Sequence, residues 1–189
     1  MSKTRRPTRQ EIAEASQRTL EDVIGPGLRV LFVGINPGLY SAAIGHHFGR
    51  PGNRFWPAIH GSGFTPRLYS PYEDHDLLAL KLGITNMASR ASARADELSL
   101  EELVEGGQIL RRKVERFQPR YLAFLGLGAY RTSFSSPRAT IGLQSERIGE
   151  TRMWVLPSPS GLNAHHSLND LVALFHDFRR EVDGEAAES

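Results

Sequence analysis

A chain of 189 residues with 40% apolar content has the size and composition of one globular domain able to bury a core. No apolar run is long enough to span a bilayer, and the basic start "MSKTRRPTRQ" has no apolar stretch behind it, which argues against a spanning helix and a secretory signal. With no cysteine there is no disulfide and no thiolate metal site, in keeping with a reducing interior, and a net charge of +2 does not by itself announce a polyanionic partner.

In chain order, residues 1 to about 18 read as a flexible basic arm, with Lys3, Arg5, Arg6, Arg9 and Arg18, and with helical character from Thr8. A mitochondrial leader is the less simple reading of the same residues. Four short apolar runs follow at intervals: "RVLFVGI", "LGITNM", "YLAFLGL" and "MWVLP". They lack alternation and end in Gly, Asn or Pro, which suits parallel strands covered on both faces. Between or after them lie helical patterns. "NRFWPAIHGSG" starts after Asn53 as N-cap and stops at Gly61, with Phe55 and Trp56 in the core. "SLEELVEGGQILRRKVERFQP" opens on a Ser99/Glu102 capping box, turns Leu103, Leu110, Val114 and Phe117 to one face, and ends at Pro119. "SLNDLVALFHDFRREV" repeats the device with Ser167 and Asp170 and buries Leu168, Leu171, Val172, Phe175 and Phe178. The tail "DGEAAES" reads as acidic and disordered. Strands alternating with helices imply an α/β layered sheet with right-handed crossovers.

The unusual loops all follow strands: "NPGLYSAAIGHHF", "NMASRASARAD" and "PSPSGLNAHHS". In an open parallel sheet ligands bind outside the carboxyl ends of the strands, so these loops are expected to line one rim. The first has no phosphate-loop lysine and no carboxylate; the chain has neither GxxxxGK[ST] nor GxGxxG, and "GLGAY" at Gly126 supplies only two of three dinucleotide glycines. Asn36 either holds a water or ligand carbonyl or caps its turn. Phe48, in a loop that reads as exposed, is either satellite core or a stacking surface for a flat base. The rigid, proline-bearing loop around Leu162 either presents an apolar wedge or tucks its tip onto the sheet. The pairs His46-His47 and His165-His166 have no carboxylate at helical spacing and read as surface histidines rather than a metal site. Twenty of the 23 basic residues are Arg, a choice suited to phosphate and equally to codon bias.

"GINPGLYSAAIGHHFGRPGNRFWPAIHGSGFT" followed by "LPSPSGL" resembles the mismatch-specific uracil/thymine DNA glycosylases of the uracil-DNA glycosylase superfamily, with the likeness running from about Glu21 to about Arg179. The resemblance implies a single domain at 19–182, a three-layer sandwich with a short, mostly parallel central sheet flanked by helices. It implies a monomeric, monofunctional bacterial cytoplasmic enzyme, with no metal and no cofactor. Such an enzyme flips uracil, or thymine opposite guanine, from double-stranded DNA with G:U or G:T mismatches. It then hydrolyses the N-glycosidic bond to leave an abasic site. By the resemblance, Asn36 orients the attacking water and Phe48 stacks on the base. Ile35, Gly38 and Ser41 contact the base, and Asn86, Ser158 and Ser160 belong to the DNA-facing surface. Leu162 is the wedge, and Gly161 and Asn163 meet the widowed guanine. Backbone N–H groups of the glycine turn would stabilise a departing uracil anion.

The sequence departs from the bacterial pattern in two places. Asp96 stands where an amide is expected; either it supplies the carboxylate that an Asn-based site lacks, or it is a surface acid beside Arg94. "NAHHSL" is one residue longer than expected and lacks the usual Arg, so a broader base range is implied, and "NMASR" resembles the thymine-acting animal members. Two rival readings remain: a non-catalytic lesion sensor of the same fold, and a small-molecule nucleotide enzyme using "GLGAY".

Overall fold

The computed structural model describes residues 6–188, with the backbone alone for 185–188. Lys3 and Arg5 of the basic arm and Ser189 of the tail lie outside the described residues. The strands are β1 (Val30–Gly34), β2 (Leu82–Asn86), β3 (Tyr121–Leu125), β4 (Gly142–Ile148) and β5 (Thr151–Leu156). The helices are α1 (Arg9–Glu14), α2 (Leu39–Ile44), α3 (Phe55–Gly61), α4 (Leu100–Phe117), α5 (Leu127–Ser133) and α6 (Leu168–Glu188). The sheet order is β2-β1-β3-β5-β4, parallel except for β4 against β5.

The four apolar runs are the four parallel strands. β1 and β3 are buried at every position because helices cover both faces. Val30, Phe32, Leu82, Ile84, Tyr121 and Ala123 face α3 and α6, through Phe55, Ile59, Leu171, Phe175 and Phe178. Leu31, Val33, Leu122, Phe124 and Val155 face α4 and α5, through Leu110, Val114, Tyr130 and Phe134. The result is the three-layer α/β fold. Phe32 centres the first layer, edge-on to Phe55 and Phe64 at 5.4 and 5.5 Å and stacked on Phe175 at 6.2 Å.

β4 has no counterpart in the sequence reading. It is an edge strand with only Leu143 and Ile148 as large apolar residues, and most of its positions are half or fully exposed. A polar edge protects against strand addition, and it also removes the apolar signal by which strands are found. α2, in a stretch read as loop, and α5, without a counterpart in the sequence reading, are helices of six and seven residues. Asn53 is one residue early as a cap: Arg54 holds the N-cap position of α3, and Asn53 Oδ1 accepts from Phe55 N at 2.9 Å. The Ser99/Glu102 capping box is present as expected. Leu168 is not part of the buried stripe; it is 38% exposed, while Val182 extends the stripe at the far end. Leu168 is the first residue of α6.

The segment read as a flexible arm carries α1, closed by a Thr8/Glu11 capping box. Ala15 is buried against Ala42 and Ala91, and Arg18 Nη1 donates to Ala43 O at 3.3 Å. Small side chains on both surfaces allow this close approach. The acidic tail continues α6 to Glu188.

Candidate active site

The ends of β1, β2, β3 and β5 meet one cavity of about 670 Å³. It is lined by residues 34–41 after β1, by Asn86 and residues 92–95 after β2, by Leu125, and by Ser158, Pro159, Ser160 and Leu162 after β5. β1 and β3 stand where the chain's connections diverge to opposite sides, the position at which such sheets bind ligands. Among the described residues no carboxylate lines the cavity, whereas Arg50 and Arg94 do.

The floor is aromatic. Phe48 is half-buried rather than exposed, and its ring stacks on Phe55 at 4.0 Å and 26°. Its φ of 52° marks a turn that the neighbourhood must hold in place. Ser41, buried in α2, accepts from Gly49 N at 2.9 Å through its hydroxyl and from Gly45 N and His46 N through its carbonyl. The buried Asp74 accepts from His47 N at 3.1 Å and lies 3.0 Å from His46 Nδ1. Gly34 has no room for a side chain: a Cβ there would come within 2.5 Å of Asn86 Oδ1 and 3.4 Å of the Phe48 ring. The first glycine of "GINPG" is therefore required by its protein neighbours.

His47 is not the surface histidine expected from the sequence. It is 2% exposed. Its Nε2 lies 2.9 Å from Glu21 O, and a carbonyl only accepts, so Nε2 carries the proton. Nδ1 is then an acceptor, and Asn86 Nδ2 donates to it at 3.3 Å. That contact turns Asn86 Oδ1 toward Gly34 and the cavity. Burial pushes the His47 pKa below its ordinary 6.5, with the Glu21 carbonyl and Asp74 partly opposing. A neutral ring is thus built into the wall.

Asn36 is oriented by the same logic. Its Nδ2 lies within 3.2 Å of Pro37 O, 3.2 Å of Arg90 O and 2.8 Å of Ser92 Oγ. Two of these are carbonyls, so the amide nitrogen must face them. Oδ1 has no hydrogen bond among the described residues and is the amide's free end in the cavity. Ser92 Oγ in turn donates to Arg94 O at 2.5 Å. The carbonyl of Arg90 is fixed because its guanidinium grips Glu102 at 2.5 and 3.0 Å, and Glu102 also accepts from Ser99 N in the α4 capping box. This ion pair and the Ser99 bond hold the Glu102 carboxyl at a pKa of about 2.

Of the other residues singled out in the sequence, Ile35, Gly38, Ser158, Ser160 and Leu162 line the cavity. Leu162 stands at the tip of its loop, 56% exposed, and does not tuck onto the sheet. Gly161 and Asn163 lie beside it outside the lining; Asn163 spends its amide within the loop, Nδ2 donating to Ser158 O at 3.0 Å and Oδ1 accepting from His165 N at 3.2 Å. Asp96 also lies outside the lining. It sits in a short 3-10 turn, pairs with Arg94 at 2.6 and 3.0 Å, and both side chains are more than half exposed. "GLGAY" turns away from the cavity: Gly126 N donates to Leu156 O at 2.9 Å and the rest is α5. Among the described residues no group of His, Asp and Glu is arranged to hold a metal ion, and no helix is long and apolar enough to cross a membrane. Sequence reasoning missed Ser92, whose tether to Asn36 joins positions far apart in the chain, and Ile12 and Leu20, which reach the cavity from the N-terminal segment.

The fold is similar to the solution NMR structure of a Methanosarcina acetivorans protein proposed to be a uracil DNA glycosylase. Identity is 19%, the match covers 86% of this chain and 98% of that one, and the TM-score is 0.57. Residues 21–180 match the family model of the uracil DNA glycosylase superfamily. That span runs from ahead of β1 into α6 and supplies every cavity wall except Ile12 and Leu20, so the chain belongs to the uracil DNA glycosylase superfamily.

Proposed function

We propose that this protein is a monofunctional, mismatch-type uracil-DNA glycosylase. It would act on uracil, and on related pyrimidines opposite guanine, in double-stranded DNA. The observation that carries the reading is Asn36: a side-chain amide whose nitrogen is consumed by fixed acceptors and whose oxygen is left free above an aromatic floor. A flipped pyrimidine stacks on Phe48, and its polar edge meets the Asn86 oxygen. The Asn36 oxygen accepts from a water aimed at C1′ of the sugar. As the C1′–N1 bond breaks, its electron pair leaves with the base, water oxygen bonds to C1′, and the water gives up a proton.

An amide cannot take that proton, and no cavity-lining residue is a carboxylate. Asp96 is the proposed recipient in the DNA-bound state. In the free protein it is held outward by Arg94, but a pair this exposed is weakened by solvent and salt. A DNA phosphate arriving at the cavity mouth competes for Arg94 and frees the carboxylate. The rival lesion-sensor reading gains no separate observation.

The test is single-turnover release of free base from a panel of G·U, G·T and A·U duplexes. Wild type is expected to release uracil. Asn36→Ala is expected to lose about 100-fold in rate while still binding the G·U duplex. Asp96→Ala and Asp96→Asn are both expected to slow the reaction. Full rate in both Asp96 variants would assign the chemistry to Asn36 and solvent alone, and no release by wild type would leave a lesion binder.

A further inference from the structure

We propose that Arg54 is the positioning residue that holds the Leu162 wedge loop at a fixed separation from the base slot. The inference rests on the glycosylase reading for its purpose, but its geometry stands apart from it. Arg54 caps α3, and around its half-buried guanidinium the loop after β5 is wrapped. Nη2 donates to Ser160 O at 2.7 Å and to Asn163 O at 2.8 Å, Nε reaches Pro159 O at 3.4 Å, and Nη1 donates to His166 O. The Arg54 backbone N also donates to Pro159 O, at 2.9 Å. Among the described residues no carboxylate pairs with this guanidinium. Each of its three nitrogens donates to main-chain carbonyls, and these lie on both sides of Leu162.

That partner set is unusual for an Arg and suits its planar fork, which presents five donors in a fixed plane. The loop has a second fixed point. Gly161 lies on the Gly52 carbonyl so closely that a Cβ would approach its oxygen to 2.8 Å. Residues 52–54 therefore form the bed on which the wedge loop rests. The next residue, Phe55, carries Phe48 on its ring face. Two consecutive residues at the head of α3 thus hold the wedge on one side and the stacking floor on the other. A wedge helps only if it enters the base stack as the base leaves for the slot, so a fixed spacing between them is what flipping needs.

The experiment uses the full chain with Arg54→Ala, Arg54→Lys and Leu162→Ala. Three quantities are read: duplex affinity, the fluorescence rise of 2-aminopurine placed beside the target uracil, and hydrogen exchange of residues 158–166. Arg54→Ala is expected to reduce the fluorescence rise as far as Leu162→Ala does, with duplex affinity changed less than the flip. Exchange should rise by at least about tenfold in the loop and stay unchanged in β1 and β3. Arg54→Lys is expected to fall between, because a lysine can reach only some of the carbonyls. The double variant Arg54→Ala/Leu162→Ala should flip no worse than either single one. Unchanged loop exchange in Arg54→Ala overturns the proposal, as does exchange raised equally in the sheet, which would make Arg54 a general stabiliser. If wild type flips no base, the exchange result still decides whether Arg54 holds the loop, and only the glycosylase reading falls.

Discussion

His47 shows how one buried side chain sets the chemistry of another. With Nε2 committed to Glu21 O, the ring must accept from Asn86, and Asn86 must present its oxygen to the cavity. Protonation would turn that acceptor into a donor and expel the Asn86 amide. The folded-state pKa lies below 6.5, mainly because burial disfavours the imidazolium. The unfolded chain therefore takes up a proton as the pH falls through 6.5, while the folded chain resists it. The stability contributed by this residue is complete above 6.5 and is lost as the pH falls below that value. Urea unfolding across this range should show a slope in wild type that His47→Asn flattens. Uracil release should hold while the folded ring stays neutral and decline only at lower pH, through the lowered folded-state pKa, as the Asn86 oxygen turns away. A wild-type slope identical to that of the variant would show that His47 does not titrate differently on folding.

At the scale of elements, the N-terminal segment is the least expected part of the site. α1 docks through Ala15 on Ala42 and Ala91, and Ile12 and Leu20 become cavity walls. The segment closes the cavity from one side. A chain lacking residues 1–18 is expected to lose the Ile12 side of this wall while keeping Leu20 and the sheet. Its rate on a 5-substituted uracil, relative to uracil in the same duplex, should rise as the slot widens. An unchanged ratio would show that the base does not reach the Ile12 side. The loop after β2 works differently, because its Arg90 is held by the α4 capping box and its carbonyl fixes Asn36. A helix cap and the orientation of Asn36 share one glutamate.

For the whole molecule, the sheet order places four strand ends around one opening, and the fold does the rest by leaving acids out of it. Net charge is only +2, so attraction to DNA must come from where the cations are. Arg50 and Arg94 are the guanidinium groups among the cavity's lining residues. Removing either by substitution with Ala is expected to weaken duplex binding about equally for matched and mismatched sites. Each should reduce the slope of log affinity against log salt by about one. A slope unchanged in both variants would move the phosphate contacts elsewhere on the surface.

The sequence by itself determined the layers and the rim. Four apolar runs without alternation read as parallel strands, capping boxes marked α4 and α6, and loops after strands of a parallel sheet converge. It also pointed to Asn36, Phe48 and Leu162 as residues with two readings each. Tertiary structure decided how each of these side chains is held, because that depends on partners elsewhere in the chain: Ser92 and Arg90 for Asn36, Phe55 for Phe48, and Arg54 under the Leu162 loop. It alone revealed β4, whose polar edge carries no apolar signal, and the burial of His47, which no local pattern announces. Periodicity records which face of an element meets the core. The direction of a polar side chain is set by whichever donors and acceptors the fold brings to it, and those come from anywhere along the chain.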